Sequence, residues 1–197
     1  MKRLNLFSAI ALACSAGAAS AQSYNAYGQF KLKHNPNGAW SYLTAGSPLA
    51  TKLPDCANLS NFNCWWNKGS FPDSAIIGAA TKHAAVSYET IVLPPKYLAL
   101  DPESVGDVTV QWTAPSAGQV LVSGNFLGVD TNEASHTTAV LHNGVTLKTF
   151  TIATYQQKAK FHLTVTVAAG DTIGFASYTP GGYSYLTTGL QAKIAFQ

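Results

Sequence analysis

Apolar residues recur at every second position through most of the second half of the chain. Val108, Val110 and Trp112 share one face of a run, and Val120, Val122 and Phe126 share a face of the next. Phe161, Leu163, Val165 and Val167 alternate with His162, Thr164 and Thr166, and Leu190, Ala192, Ile194 and Phe196 form a last such series. A period of two means strands with one face in a core and the other toward solvent. The runs end in turn formers: Ala114-Pro115-Ser116-Ala117-Gly118, Asn143-Gly144 and Ala169-Gly170-Asp171. Asn143-Gly144, between residues 140–142 and 145–147, suits a two-residue hairpin turn, whose backbone needs positive φ. No segment sustains a helical period. About 8–11 short strands with turns every ~8–12 residues predict an all-β protein, an antiparallel β-sandwich or jelly roll in a single domain.

Residues 22–90 are less regular. A first strand is expected over 27–32 and a second over 40–43, with the turn Asn35-Pro36-Asn37-Gly38 between them. Residues 53–71 read as a loop, and Ile76-Ile77 and residues 84–88 as short strands. Residues 22–90 are thus expected to supply N-terminal strands and a loop packed on a jelly-roll core spanning 91–197.

The first 21 residues change the picture of where this protein works. Lys2 and Arg3 precede an apolar stretch, and Ala19-Ser20-Ala21 is a small-x-small cleavage site, so 1–21 reads as a secretory signal peptide cut before Gln22. The stretch is too short to span a bilayer. Lipidation at Cys14 is the competing reading, but Ala11 stands where such a site wants Leu. Losing Lys2 and Arg3 takes the formal net charge from +3 to about +1 and removes the single arginine. Phosphate recognition leans on arginine and dense basic patches, so nucleic acid is not an expected partner. Two cysteines remain, Cys56 and Cys64, and an even number in an exported chain reads as a disulfide closing a small loop.

Several phrases resemble a recurrent β-sandwich module of secreted bacterial proteins, many of them of the PEP-CTERM export class. They are Asn35-Pro36-Asn37-Gly38-Ala39-Trp40-Ser41-Tyr42, Val110-Gln111-Trp112-Thr113-Ala114-Pro115-Ser116-Ala117-Gly118, Val122-Ser123-Gly124-Asn125-Phe126, Asn143-Gly144-Val145 and Ala168-Ala169-Gly170-Asp171-Thr172-Ile173-Gly174-Phe175. The resemblance implies a jelly roll like that of carbohydrate-binding modules and leaves the activity open. Three departures stand out. No Pro-Glu-Pro sorting motif is found, so a secreted or periplasmic protein is expected. The family's His-Pro-Gly is replaced by Leu93-Pro94-Pro95-Lys96-Tyr97. Tyr185-Leu186-Thr187 stand where an acidic residue is common, which argues against a calcium site joining the two ends.

Loop aromatics are the strongest functional signal. Sugar rings stack their C–H faces on aromatic faces while amides and carboxylates pair with hydroxyls. Trp65, Trp66, Tyr97, Tyr178, Tyr183 and Tyr185 are the candidate ligand-binding residues. Adjacent Trp65 and Trp66 would point opposite ways on a strand, one of them into the core, and Trp40 and Trp112 are expected core residues. Asp130, Asn132 and Glu133 form an oxygen-rich candidate for calcium. His136 and His142 share a strand face and His162 lies on a later strand, but no zinc-type spacing joins them, and surface positions are the expected reading. No pair of carboxyls is placed as a glycosidase requires, and no nucleophile elbow or phosphate loop is present. The expected function is a secreted, non-catalytic binding protein for a glycan or polysaccharide, with no cofactor. The alternative is a structural, self-associating matrix or surface protein.

Overall fold

The computed structural model describes residues 22–69, 74–104, 106–181 and 184–197, with Lys82 described by its backbone alone. Residues 1–21, read above as a signal peptide, and Tyr183 therefore lie outside the described residues. The first strands are β1 (Ser23–Asn25), β2 (Trp40–Thr44), β3 (Ser47–Pro48), β4 (Thr51–Leu53) and β5 (Phe62–Trp66). Then come β6 (Ile76–Ala80), β7 (Val86–Tyr88), β8 (Ile91–Leu93), β9 (Leu98–Asp101) and β10 (Asp107–Thr113). The last six are β11 (Gly118–Gly128), β12 (His136–His142), β13 (Val145–Ile152), β14 (Lys158–Val167), β15 (Thr172–Tyr178) and β16 (Thr188–Phe196). The expected all-β antiparallel sandwich is the observed fold.

One sheet runs β14-β11-β16-β9-β6-β5-β4, with β1 also on β16, and the other runs β13-β12-β15-β10-β2-β3. Strands from the first 90 residues sit inside both sheets: β2 pairs with β10 from Trp112↔Trp40 to Val108↔Thr44, and β6 pairs with β9. Between the sheets the alternating residues meet as expected. Val110, Trp112 and Phe175 face Val122, Phe126 and Ile194, all fully buried. Burying each such side chain contributes roughly 1.5–3 kcal/mol relative to exposure.

A second, smaller core lies on the outer side of the first sheet. Phe62, Cys64, Ala99 and Leu127 project outward from β5, β9 and β11 and are covered by Val86, Ile91 and Leu93 of the β7–β8 hairpin. Cys56 and Cys64 form a disulfide that closes this edge.

Two local expectations are corrected. Residues 27–32 are not a strand. They form a turn in which Gln29 N–H donates to Asn25 O (3.0 Å) and Phe30 N–H to Tyr27 O (3.1 Å). The Asn25 side chain accepts from Gly28 N–H at 2.7 Å, a turn bond that competes with strand pairing. The supposed loop 53–71 holds strand β5, which pairs with both β4 and β6.

Candidate functional site

Strand β16 forks the first sheet. Along one side it pairs continuously with β11, from Val120↔Phe196 to Gly128↔Thr188. Its other side is shared: β9 takes residues 188–190 and β1 takes 193–195. Between the ends of β9 and β1 the pairing on this side of β16 is reduced to one bond, Ala26 N–H to the Ala192 carbonyl at 3.0 Å, and a cavity of about 380 Å³ lies over the break, the notch, on the outer face of the sheet.

Strand alternation decides what faces the notch. Leu190, Ala192 and Ile194 point into the core, so Gln191 and Lys193 point outward. On β11, Ser123 and Asn125 are their neighbours by register, Ser123↔Lys193 and Asn125↔Gln191. Gly124, between them, has φ +156 and lies so close to the Gln191 carbonyl that a Cβ would collide with it.

The amides of the floor are held by a chain of hydrogen bonds. Tyr97 Oη donates to Asn125 Oδ1 at 2.9 Å, Asn125 Nδ2 donates to Gln191 Oε1 at 3.3 Å, and Gln191 Nε2 donates to the Lys96 carbonyl at 3.4 Å. The Tyr97 ring can lie across β16 because residue 189 is glycine; a Cβ there would sit 3.1 Å from Tyr97 Cδ1. Ser123 Oγ and Asn25 Nδ2, both bordering the notch, have no hydrogen-bond partner among the described residues.

Tyr27 and His83 form the wall. Tyr27 follows β1 in the turn just described, and its hydroxyl donates to the Ala80 carbonyl at the end of β6 (2.8 Å). Phe30 pins the same turn to the core against Tyr42, centroid to centroid 5.0 Å. His83, at φ +54 in a 3-10 turn after β6, stands 5.4 Å from the Tyr27 ring. A second cavity of about 340 Å³ lies on the far side of this pair and shares Tyr27, Gly28 and His83 with the first.

The five described aromatics of the six expected to bind ligand do not assemble into one surface. Trp65 points inward and is 2% exposed, its indole N–H donating to Lys31 O at 3.0 Å. Trp66 points the other way, as the strand geometry requires, and donates to Ser74 Oγ. Tyr97 is 5% exposed, so it offers no stacking face and serves as the orienting donor described above. Tyr178 is half-buried on the outer face of the other sheet, against Ala139, Leu141 and Ala176. Tyr185, 45% exposed, borders a separate acidic cavity with Tyr88, Asp101 and Asp130.

Both carboxylates of the proposed calcium set accept hydrogen bonds, while Glu133 Oε1 is buried without a hydrogen-bond partner among the described residues. Asp130 accepts from Asn132 N–H (2.8 Å) and Thr90 Oγ1 (3.0 Å), and Glu133 Oε2 accepts from Asp130 N–H (3.1 Å). No group of three or more metal-ligating side chains occurs among the described residues. The three histidines have separate settings. His136 is buried rather than on the surface, and its Nε2 lies 2.6 Å from Thr188 Oγ1, a bond between the two sheets. His142 contacts Asp171 at 3.1 Å, and His162 is exposed on β14.

Thr188, His136 and Glu133 are nearly a hydroxyl–imidazole–carboxyl line, with Glu133 Oε1 3.6 Å from His136 Nδ1. It is not a relay. The Thr188 hydroxyl is fully buried, burial lowers the His136 pKa, and burial pushes Glu133 up to about 8. In the acidic cavity, burial raises Asp101 to about 7, with the nearby Asp130 charge adding to the shift. Asp130 is 2% exposed with both oxygens bonded inside the protein.

No protein-family model and no curated protein matches the chain. Solved structures similar to it include a family 35 carbohydrate-binding module from an environmental isolate, at 17% identity and TM-score 0.35, over 50% of this chain and 72% of that one. They also include a family 35 module from Clostridium thermocellum (12%, TM-score 0.32, 74% and 98%). A third is the K1 cleaved adhesin domain of Lys-gingipain from Porphyromonas gingivalis W83 (11%, TM-score 0.41, 90% and 98%). At these scores the likeness transfers neither ligand nor residue role. Among the described residues no helix is long and apolar enough to cross a membrane.

Proposed function

We propose that this protein is an exported, non-catalytic binding protein whose ligand is a glycan held in the notch between β1 and β9. The observation that carries the reading is the floor of oriented amides, Asn125 and Gln191, beside unpartnered polar groups on Asn25 and Ser123, under the Tyr27 wall. Fixed amides pair with sugar hydroxyls in both directions, and an aromatic edge or face packs on sugar C–H groups. Because the floor is held before binding, little ordering entropy is lost on association. Export is supported by the signal-like residues 1–21 and by the Cys56–Cys64 disulfide.

A glycan array with the purified protein tests this directly. Tyr27→Ala and Gln191→Ala should each weaken binding about tenfold, the loss of roughly 1.4 kcal/mol of contact. Trp66→Ala should leave binding unchanged. Binding abolished by Trp66→Ala and indifferent to Tyr27→Ala and Gln191→Ala would move the site away from the notch.

A further inference from the structure

From the charge and shape of this notch we infer, resting on the glycan-binding reading, that its ligand is an acidic polysaccharide. At least two successive units cross the Tyr27–His83 ridge, and an anionic group sits against Lys96 and Lys193. The two cavities share the ridge, so a ligand filling both must be extended rather than a single ring. Together they have the size of ordinary small-ligand pockets, about 300–1,000 Å³.

Charge is sorted between cavities. The first is bordered by Lys96 and Lys193, and the second by Lys31. The chain then runs through Leu32 to Lys33 and His34, which border a third cavity together with Lys52. Among the described residues no Asp or Glu borders any of these three. Glu89, Asp101 and Asp130 gather instead at the separate acidic cavity. Lys31, Lys96 and Lys193 make no ion pair among the described residues. Lys160 extends the positive side of the outer face across β14, by the register Asn125↔Lys160. A groove lined by one sign of charge concentrates ligands of the other sign, even on a molecule whose net charge is near zero. Lysine ammonium groups are point charges, suited to spaced carboxylates or sulfates rather than to bidentate phosphate.

The test is isothermal titration of the protein with polygalacturonate, heparin, dextran and duplex DNA at low and at moderate salt. Polygalacturonate or heparin should bind, dextran should bind at least tenfold more weakly, and the acidic ligand should lose affinity as salt rises. The preferred acidic polymer identifies the anionic group as carboxylate or sulfate. The double variant Lys96→Gln/Lys193→Gln should lose about tenfold in affinity for the acidic polymer with its melting temperature unchanged. Lys148→Gln, on the other sheet, should lose nothing. Dextran bound as tightly as the acidic polymers would overturn the acidic inference and leave the glycan-binding reading standing. DNA bound as tightly would overturn the inference by making the groove a general polyanion site. Binding of none of the four would overturn the inference, and a blank glycan array as well would remove the reading beneath it.

Discussion

Asp101 shows how burial at a single residue sets a pH dependence. Its carboxyl accepts one hydrogen bond, from Thr187 Oγ1 at 3.2 Å, and burial with Asp130 nearby raises its pKa from 3.8 to about 7. Glu133 moves the same way, from 4.5 to about 8. A carboxyl whose folded pKa is raised stabilises the fold fully below its unfolded pKa. That contribution is lost as pH rises through the folded value. For Asp101 the window is from about pH 4 to about pH 7. The stability of the wild type minus that of Asp101→Asn, from urea unfolding, should therefore fall across this window by a few kcal/mol at most and then level off. A flat difference, or one that rises with pH, would show that Asp101 is ionised at no cost. His136 acts in the opposite sense, since burial lowers its pKa and protonation below the usual histidine range opposes the folded state. Nothing in the spacing of these residues announces either effect, because each depends on which chain segments close over the group.

Among the elements, the edge strands β4 and β5 of the first sheet and the β7–β8 hairpin on its outer side depend on the Cys56–Cys64 bridge. The two cysteines are eight residues apart, and Cys64 packs under β6 so closely that a Cβ at Gly78 would lie 2.6 Å from its Sγ. The chain-entropy model gives such a loop about 2.5 kcal/mol. Reduction should lower stability by that order and should speed hydrogen exchange in β4, β5, β7 and β8. Exchange in β10, β11 and β15 should stay slow, because their core of Trp112, Val122 and Phe175 lies between the sheets. Uniform acceleration in all strands would mean that these elements and the rest of the sandwich unfold as one unit. The disulfide, the Asn143-Gly144 hairpin between β12 and β13 and the alternation of β10, β11, β14 and β16 were legible from sequence alone. Strand β5 was not, since it carries two adjacent tryptophans that face opposite layers, and two buried faces erase the alternation that marks a strand.

At the scale of the whole molecule, the terminal strands of the two large sheets carry features that oppose pairing with another copy. Strand β3 is two residues long and holds Pro48, β4 is three residues with Lys52 at its centre, and β14 carries Lys158 and Lys160. On the edge strand β13, Val145 is 68% and Leu147 43% exposed, and there Lys148 interrupts the run. Charges and proline on edges oppose strand addition. The protein should sediment as a monomer from micromolar to millimolar concentration, and Lys148→Val should assemble with increasing concentration. A wild type that self-associates through β13 would favour the matrix-protein alternative over a ligand-binding module. The same lysines that guard the edge at β14 contribute to the positive outer face, so solubility and ligand preference draw on shared residues.

The period of two, the turn residues and the cysteine pair determined the layer architecture, because alternation is a local consequence of strand geometry and can be read one segment at a time. The position of the site was decided only by tertiary structure. Tyr27 belongs to a turn held by Asn25, His83 to a 3-10 turn some fifty residues later, and Gln191 to the last strand. They meet because β16 gives up β9 and takes β1, leaving a notch that no single segment contains. The solvent-side set Ser123, Asn125, Gln191 and Lys193 was present in the alternation, as the polar half of strands chosen for their apolar half. Which polar face would be left open and which covered by the β7–β8 hairpin is a long-range outcome of how the hydrophobic surface is buried, and only the folded chain expresses it.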